Sequence, residues 1–220
     1  MNQETEKTLA FFGRMTANLT HEFKNILAII QESAGLMEDI MAISPLAKDK
    51  YQERFNNSMN TIKNQLQRGM EMASRFNRFA HAPDHNSAEL ELGETMVHFC
   101  TLTERFARLK HITLQADSQK GQEIKITTNP LLLYMVLFYS LDACLSVLPA
   151  KCEIRLIAVK KDENAAVKIA CTGQQAPSPE QFFTGLRQSS AWGELESTAE
   201  QLNAELKCNT DDLCFYLILK

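Results

Sequence analysis

The chain has 220 residues, 45% of them hydrophobic and 23% charged, so it is large and apolar enough for one large domain or two small ones. Lysine and arginine number 23 against 27 aspartates and glutamates, a net charge of −4, and the lack of a basic excess argues against nucleic-acid binding. The eight glycines form no G-x-G anywhere, which excludes the sequence form of a dinucleotide fingerprint, a P-loop and a protein-kinase glycine loop.

The first 82 residues predict two long helices. In the first, ten positions between 9 and 40 alternate in steps of three and four, and eight of them are apolar. A neighbouring row of the same helix, at positions 15, 22, 29, 36 and 43, is also apolar except for Glu22. The apolar face is therefore wider than the seam of a two-stranded coiled coil. The same alternation runs from 55 to 80 in the second helix, with Ser44 and Pro45 as its predicted N-cap and first-turn proline. Two antiparallel helices alone cannot bury such faces, so a homodimeric four-helix bundle is predicted.

Residues 82–92 are polar and contain Pro83, which places a domain boundary between a helical hairpin at 1–82 and a second domain at 88–220. The second domain changes to a mixed pattern, which predicts the fold class α+β: helices on one face of a mostly antiparallel sheet, a two-layer α/β sandwich. Its predicted helices lie at 91–109, in the 130s and 140s, and at 193–206. Its predicted strands lie at 111–116, 123–128, 152–161, 165–172, 205–210 and 213–220.

The most apolar stretch, 131–148, is interrupted by Ser140, Asp142 and Ser146, which favours a buried helix over a membrane span. The N-terminal residues carry acids and no apolar run, so no secretory signal is expected. The six cysteines form no C-x-x-C pair, and we interpret them as reduced, buried residues. Together these features predict a cytoplasmic protein with no membrane partner.

The segment from Thr20 to Asn25, T-H-E-F-K-N, carries the chemistry. His21 falls midway between two seam positions, so its imidazole is expected to point into solvent. Asn25 lies one turn further along the same face, and Glu22 lies at the edge of the core.

This segment resembles the H-box of the sensor histidine kinases of two-component systems, S/T-H-E-x-x-N/T. The order of the domains is also similar, since that family places a dimerising hairpin before a GHKL-type ATP-binding sandwich. The resemblance implies that His21 carries a phosphoryl group to or from the aspartate of a response-regulator receiver domain. Glu22 would orient and deprotonate the histidine, and Asn25 would position water or the phosphoryl group during dephosphorylation.

The resemblance also implies which residues of the first helix meet the receiver. Arg14 and Lys24 would add positive charge near the phosphate. The partner-binding residues would be the exposed ones near and beyond His21, namely Lys24, Asn25, Ala28, Gln31 and Glu32.

The family's ATP-binding positions are altered in the buried helix of the second domain. Phe138 and Asp142 stand where the N-box has two asparagines. Asp142 can still ligate magnesium through oxygen, whereas Phe138 cannot.

The family's D-x-G-x-G and lid are altered as well. Cys171, Gly173 and Gln175 stand in the D-x-G-x-G, where cysteine cannot accept the adenine hydrogen bond as a carboxylate does and Gln175 replaces a glycine. The glycine-rich lid is reduced to residues 190–194 around Gly193, and its Glu194 would repel a triphosphate. We therefore expect ATP and magnesium binding to be lost, and no other cofactor.

A second cluster has the spacing of a metal site. His81, Asp84 and His85 combine i, i+4 histidines with an acid, but Pro83 breaks the helix that would align them. We interpret the segment as a solvated linker and predict no metal site.

The predicted function is that of a homodimeric histidine phosphotransferase that shuttles phosphoryl groups between receiver domains without ATP. A chain that begins at Met1 with no sensor segment suits such a shuttle. Three alternatives stay open: an active histidine kinase core that labels His21 from ATP, a receiver phosphatase that uses Asn25, and a non-catalytic dimeric scaffold that binds receivers.

Overall fold

A computed structural model describes residues 3–42, 48–117, 123–161 and 163–220. The chain divides into two compact units, Met1–Phe79 and Ala80–Lys220. The first unit consists of helix α1, Gln3–Ala42, and helix α2, Lys48–Ala80, whose last residue belongs to the second unit. The N-cap predicted at Ser44 and Pro45 lies outside the described residues.

The two long helices run antiparallel. Near the start of α1 the ring of Phe11 lies 5.7 Å from that of Phe79, at the end of α2. Further along, a Cβ built at Gly69 would lie 3.6 Å from Cγ2 of Ile26, so the backbone of α2 comes close to α1 there. The buried side chains of α1 lie along one face of the helix: Phe11, Met15, Asn18, Leu19, Glu22 and Ile26.

A second set of apolar side chains on the same helices is uncovered in a single copy of the chain. Leu27 is 62% exposed on α1 and Met70 is 66% exposed on α2, values that one apolar side chain rarely reaches inside a packed bundle. The set is Leu9, Leu27, Leu36, Met41, Leu66 and Met70. The wide apolar faces predicted from the sequence are therefore only partly buried within one hairpin.

The second unit contains four helices and seven strands among its described residues. A short 3-10 helix at Ala82–Asp84 leads into them. The strands are β1 Ala88–Glu91, β2 Thr113–Asp117, β3 Lys125–Thr128, β4 Glu153–Lys161, β5 Asn164–Thr172, β6 Ala204–Asn209 and β7 Cys214–Leu219. The helices are α3 Leu92–Leu109, α4 Pro130–Val147, α5 Pro179–Gln188 and α6 Ser190–Gln201.

Five strands form one sheet in the order β2-β4-β5-β7-β6. The β2–β4 pair is parallel and each other neighbouring pair is antiparallel. Ile154 pairs with Cys171, and Leu156 with Ile169, so one face of the sheet carries a continuous row of buried side chains beneath the helices. This architecture confirms the predicted fold class, a two-layer α+β sandwich.

Local capping explains where the helices of the sandwich begin. Asn129 caps α4 by accepting a hydrogen bond from the backbone of Leu132 at 3.0 Å, and Pro130 occupies the first turn. The helix that follows is the predicted buried one. It is long and apolar enough to cross a membrane by composition alone, but 72% of that window is buried inside the protein.

Three features of the second unit differ from the sequence prediction. The helix predicted at 193–206 instead spans Ser190–Gln201, because Asn203 adopts a left-handed conformation (φ 55°) that ends it. Helix α5 was not predicted, although its capping box, formed by Ser178 and Gln181, is readable in the sequence. Strand β1 lies within the segment interpreted as linker and pairs antiparallel with β3 in a separate two-stranded sheet.

Candidate functional site

His21 lies in the middle of α1 and its side chain is exposed, as the heptad spacing predicts. The helix around it is continuous, and Thr20 turns its hydroxyl back to donate to the carbonyl of Thr16 at 2.8 Å. Every residue predicted to meet a receiver is exposed on the same helix: Lys24, Asn25, Ala28, Gln31 and Glu32. Arg14 is also exposed. The structure therefore presents His21 within an accessible, mostly polar helical surface.

Glu22, the next residue, is buried, with 8% of its surface exposed. Its Oε1 accepts a hydrogen bond from Nδ2 of Asn25 at 3.5 Å, so two of the predicted site residues are in contact. Its Oε2 lies 3.5 Å from Nη2 of Arg68, a residue of α2 that is separated from Glu22 by 46 positions in the chain. Both carboxylate oxygens are thus held, one from each helix of the hairpin.

Sequence reasoning missed Arg68. No local pattern marks it, since it lies on α2 one position before Gly69, a member of the seam row. The predicted position of Glu22 at the edge of the core is the signal that points to Arg68. A buried carboxylate requires a positively charged or hydrogen-bonding partner that offsets its loss of hydration. The antiparallel register that places Phe11 beside Phe79 also places residues near 68 beside residues near 22.

In the second unit, the two residues of α4 that were compared with the N-box, Phe138 and Asp142, differ in burial. Phe138 is 1% exposed, and its ring lies 5.4 Å from that of Phe106 and 5.9 Å from that of Tyr139, both in edge-on contacts. Asp142, one turn later, is half-buried. Phe138 is therefore a packing residue of the core, where an asparagine would present an amide.

Cys171, at the position of the adenine-binding aspartate, is 4% exposed at the end of β5. Its Sγ lies 3.8 Å from Sγ of Cys144, longer than a disulfide bond, so both are thiols. The hydrogen bond to Cys144, together with burial, raises the pKa of the Cys171 thiol well above its ordinary value. A neutral thiol facing another thiol provides no carboxylate for an adenine amino group.

The other two positions compared with the D-x-G-x-G motif, Gly173 and Gln175, are on the surface. Gly173 is required by packing, because a Cβ there would lie 2.7 Å from Sγ of Cys152. Gln175 is exposed. The close approach of the chain at Gly173 is thus explained by the neighbouring cysteine.

The segment at the lid position forms the first turn of α6. Ser189 caps the helix by accepting a hydrogen bond from the backbone of Trp192 at 3.2 Å. The Trp192 ring is 4% exposed and lies 5.3 Å from that of Phe215, and its Nε1 donates to Glu196 at 2.8 Å. Gly193 faces open space on the helix surface. Residues 190–194 are therefore ordered helix anchored on the core.

The segment with metal-like spacing contains a local contact between two side chains. Nδ1 of His81 lies 2.6 Å from Oδ2 of Asp84, and both side chains are more than half exposed. His85 is exposed as well. Within the described ranges, no group of three or more histidine, cysteine, aspartate or glutamate side chains has the arrangement of a metal site.

No protein-family model matches the sequence, and no curated protein matches it. Solved structures similar to the chain include histidine kinase AdeS of Acinetobacter baumannii, at 11% identity over 91% of this chain and 97% of that one, with a TM-score of 0.47. A bacterial phosphotransferase is 11% identical over 95% of this chain and 96% of its own, with a TM-score of 0.43. Histidine kinase ThkA, solved in complex with response regulator protein TrrA, is 16% identical over 96% of this chain and 62% of its own, with a TM-score of 0.45. These similarities concern the arrangement of the elements and say nothing about activity.

Proposed function

We propose that the protein is a cytoplasmic, homodimeric histidine phosphotransferase that moves phosphoryl groups between response-regulator receiver domains through His21. One observation carries the proposal. An exposed histidine is followed by a buried glutamate whose two oxygens are held by Asn25 and Arg68, within the H-box pattern of α1. This arrangement combines an accessible nucleophile with a fixed acidic neighbour.

The bond changes of the transfer balance between His21, the receiver aspartate and the phosphoryl group. A ring nitrogen of neutral His21 attacks the phosphorus of a receiver aspartyl phosphate. The bond between the carboxyl oxygen and phosphorus breaks as the nitrogen–phosphorus bond forms, and the aspartate leaves as a carboxylate. The proton on the other ring nitrogen can pass to a neighbouring base, for which Glu22 is the candidate. Transfer to a second receiver reverses these bond changes.

We propose further that this chain binds neither ATP nor magnesium. The support comes from the chemistry of the side chains at the family's nucleotide positions. Phe138 packs between two aromatic rings, Cys171 faces Cys144, and residues 190–194 form a helical turn. None of these residues supplies the amide, carboxylate or flexible glycine loop that a nucleotide site of this family uses, so the phosphoryl group must come from another protein.

Dimerisation is part of the proposal because each hairpin leaves an apolar surface uncovered. Leu27 on α1 and Leu66 on α2 are 62% and 52% exposed in one copy. A second copy of the same hairpin would bury these side chains in a four-helix bundle. The receiver would then dock against the exposed residues of α1 around His21.

The test offers two labelled donors separately, ³²P-ATP and a ³²P-phosphorylated receiver, to the wild type and to His21→Ala. We expect the phospho-receiver to label the wild type, His21→Ala to stay unlabelled, and ATP to label neither. His85→Ala, which removes an exposed histidine of the second unit, is the matched control and should still accept label. Asn25→Ala is measured beside it for the phosphatase alternative.

Other outcomes select the alternatives. Labelling of His21 by ATP would identify a histidine kinase core. Loss of receiver phosphate that persists in His21→Ala and stops in Asn25→Ala would identify a phosphatase, which the exposed Asn25 also permits. Receiver binding with no loss or transfer of phosphate in any variant would identify a scaffold.

A further inference from the structure

The second helix of the hairpin contributes to the site through Arg68. The feature that requires explanation is Glu22, a carboxylate with only 10% of its side chain exposed. Removing a carboxylate from water is unfavourable unless hydrogen bonds and opposite charge compensate. Arg68 supplies that opposite charge, at 3.5 Å between Nη2 and Oε2.

Asn25 and Arg68 constrain Glu22 from different directions. Asn25 lies on the same helix, three residues on, and reaches Oε1, so it moves with Glu22. Arg68 lies on α2 and reaches Oε2, so it ties the carboxylate to the packing between the helices. The contact lies beside the close approach of α2 to Ile26 at Gly69.

We propose that Arg68 is a positioning residue for the reaction at His21, acting by fixing the Glu22 carboxylate from the opposite helix. This inference rests on the proposed phosphotransfer function. Arg68 is itself half exposed, at 52%, so its charge lies at the edge of the bundle. A guanidinium is planar, permanently charged and carries five N–H donors, which suits it to hold a carboxylate in one orientation.

The test measures the initial rate of phosphoryl transfer from a ³²P-phosphorylated receiver to His21. Arg68→Gln and Glu22→Gln should each slow transfer about ten- to hundredfold, the range that follows when a reacting group loses its alignment. The double variant should be no slower than the slower single variant, because both substitutions remove one interaction. Arg68→Lys, which keeps the charge, should recover part of the rate.

Arg54→Gln is the matched control, since it removes an exposed arginine from the same helix. Thermal unfolding and molar mass in solution, measured for every variant, separate misfolding from loss of alignment, and Arg68→Lys serves if Arg68→Gln does not fold. The inference is overturned if Arg68→Gln transfers at the wild-type rate, if the two single effects multiply in the double variant, or if Arg54→Gln slows transfer equally. A wild type that accepts no phosphate from the receiver overturns the proposed function and this inference with it, whereas wild-type transfer unaffected at Arg68 overturns the inference alone.

Discussion

The hairpin and the sandwich differ at the positions that were compared with histidine kinase motifs. In the hairpin, the H-box histidine is exposed and its acidic neighbour is held by polar partners from both helices. In the sandwich, Phe138 and Cys171, which stand at nucleotide-contacting positions, are 1% and 4% exposed within the core. A position that faces solvent can be selected for chemistry, whereas a position inside a close-packed core is constrained by volume and polarity.

The two regions also differ in completeness. The sandwich buries most of its large apolar side chains, among them Leu133, Phe182 and Phe215. The hairpin leaves large apolar side chains open along both helices, as for Leu27 and Met70. The proposed dimer would account for this difference, because a second copy would cover the exposed side chains of the hairpin.

The sharpest challenge to this comparison is to restore the N-box residue with Phe138→Asn. We expect the free energy of unfolding to fall by about 3–5 kcal/mol. The smaller side chain leaves a cavity in the core, and its amide is buried without a hydrogen-bond partner. We expect no gain of nucleotide affinity. Urea unfolding and calorimetric titration with Mg-ATP measure the two effects.

Phe138→Leu is the control, since it keeps the site apolar and should be much less destabilising. If Phe138→Asn folds with wild-type stability and binds ATP, position 138 can serve a nucleotide site. That result would contradict the statement that packing alone constrains it.

The hairpin's dependence on a second copy is tested by Leu66→Glu and Met70→Glu on α2. A carboxylate in the proposed interface should raise the dimer dissociation constant about a hundredfold, equivalent to roughly 3 kcal/mol. Sedimentation equilibrium measures the change. Leu109→Glu, at a residue of the sandwich that is 62% exposed, should leave the constant unaltered. Equal association of all three variants would contradict a bundle-mediated dimer.

The closed core of the sandwich predicts a dependence on alkaline pH. Burial raises the pKa of the Cys100 thiol from 9.0 to about 12. Below pH 9 the thiol is protonated in both folded and unfolded chains, so its contribution to stability is complete. As the pH rises from 9 towards 12 only the unfolded chain ionises, and the free energy of unfolding should fall by about 1.4 kcal/mol per pH unit from this group.

Urea unfolding at pH 8, 9 and 10 measures that slope, with Cys100→Ala as the comparison. The substitution lowers stability at every pH by creating a cavity, but it should flatten the decline above pH 9. Identical slopes for the wild type and Cys100→Ala would show that the thiol is not shielded from water.

The smallest expected effect concerns the lid position. Gly193 lies within α6 and a Cβ there meets nothing within 4 Å, so Gly193→Ala should stabilise the protein by about 0.5–1 kcal/mol. Gly173→Ala is the contrasting variant and should destabilise, because its Cβ would collide with Cys152. Thermal unfolding compares the two. Destabilisation by Gly193→Ala would indicate that residues 190–194 need the freedom of a loop.

Much of this arrangement was predictable from the sequence because it depends on near neighbours along the chain. The spacing of apolar residues identified both long helices and the exposed side of α1, and the contact between Glu22 and Asn25 follows from a separation of three residues. Alternation predicted β4 and β5, whose hairpin register needs only the turn between them. Residues 202–206 were predicted wrongly, because the helical pattern and the following strand pattern overlap there. The helix was predicted to end at 206, whereas it ends at Gln201.

The two long helices, the class of the second domain and the exposure of His21 can be read from the sequence, because helical and strand periods are local properties of the backbone. Three contacts are visible only in the folded chain: Arg68 with Glu22, Cys171 with Cys144, and β1 with β3. These contacts join positions 27 to 46 residues apart or neighbouring strands of a separate sheet, so they depend on how whole elements pack. Packing is set by the combined burial of many side chains, and no short stretch of residues contains that information.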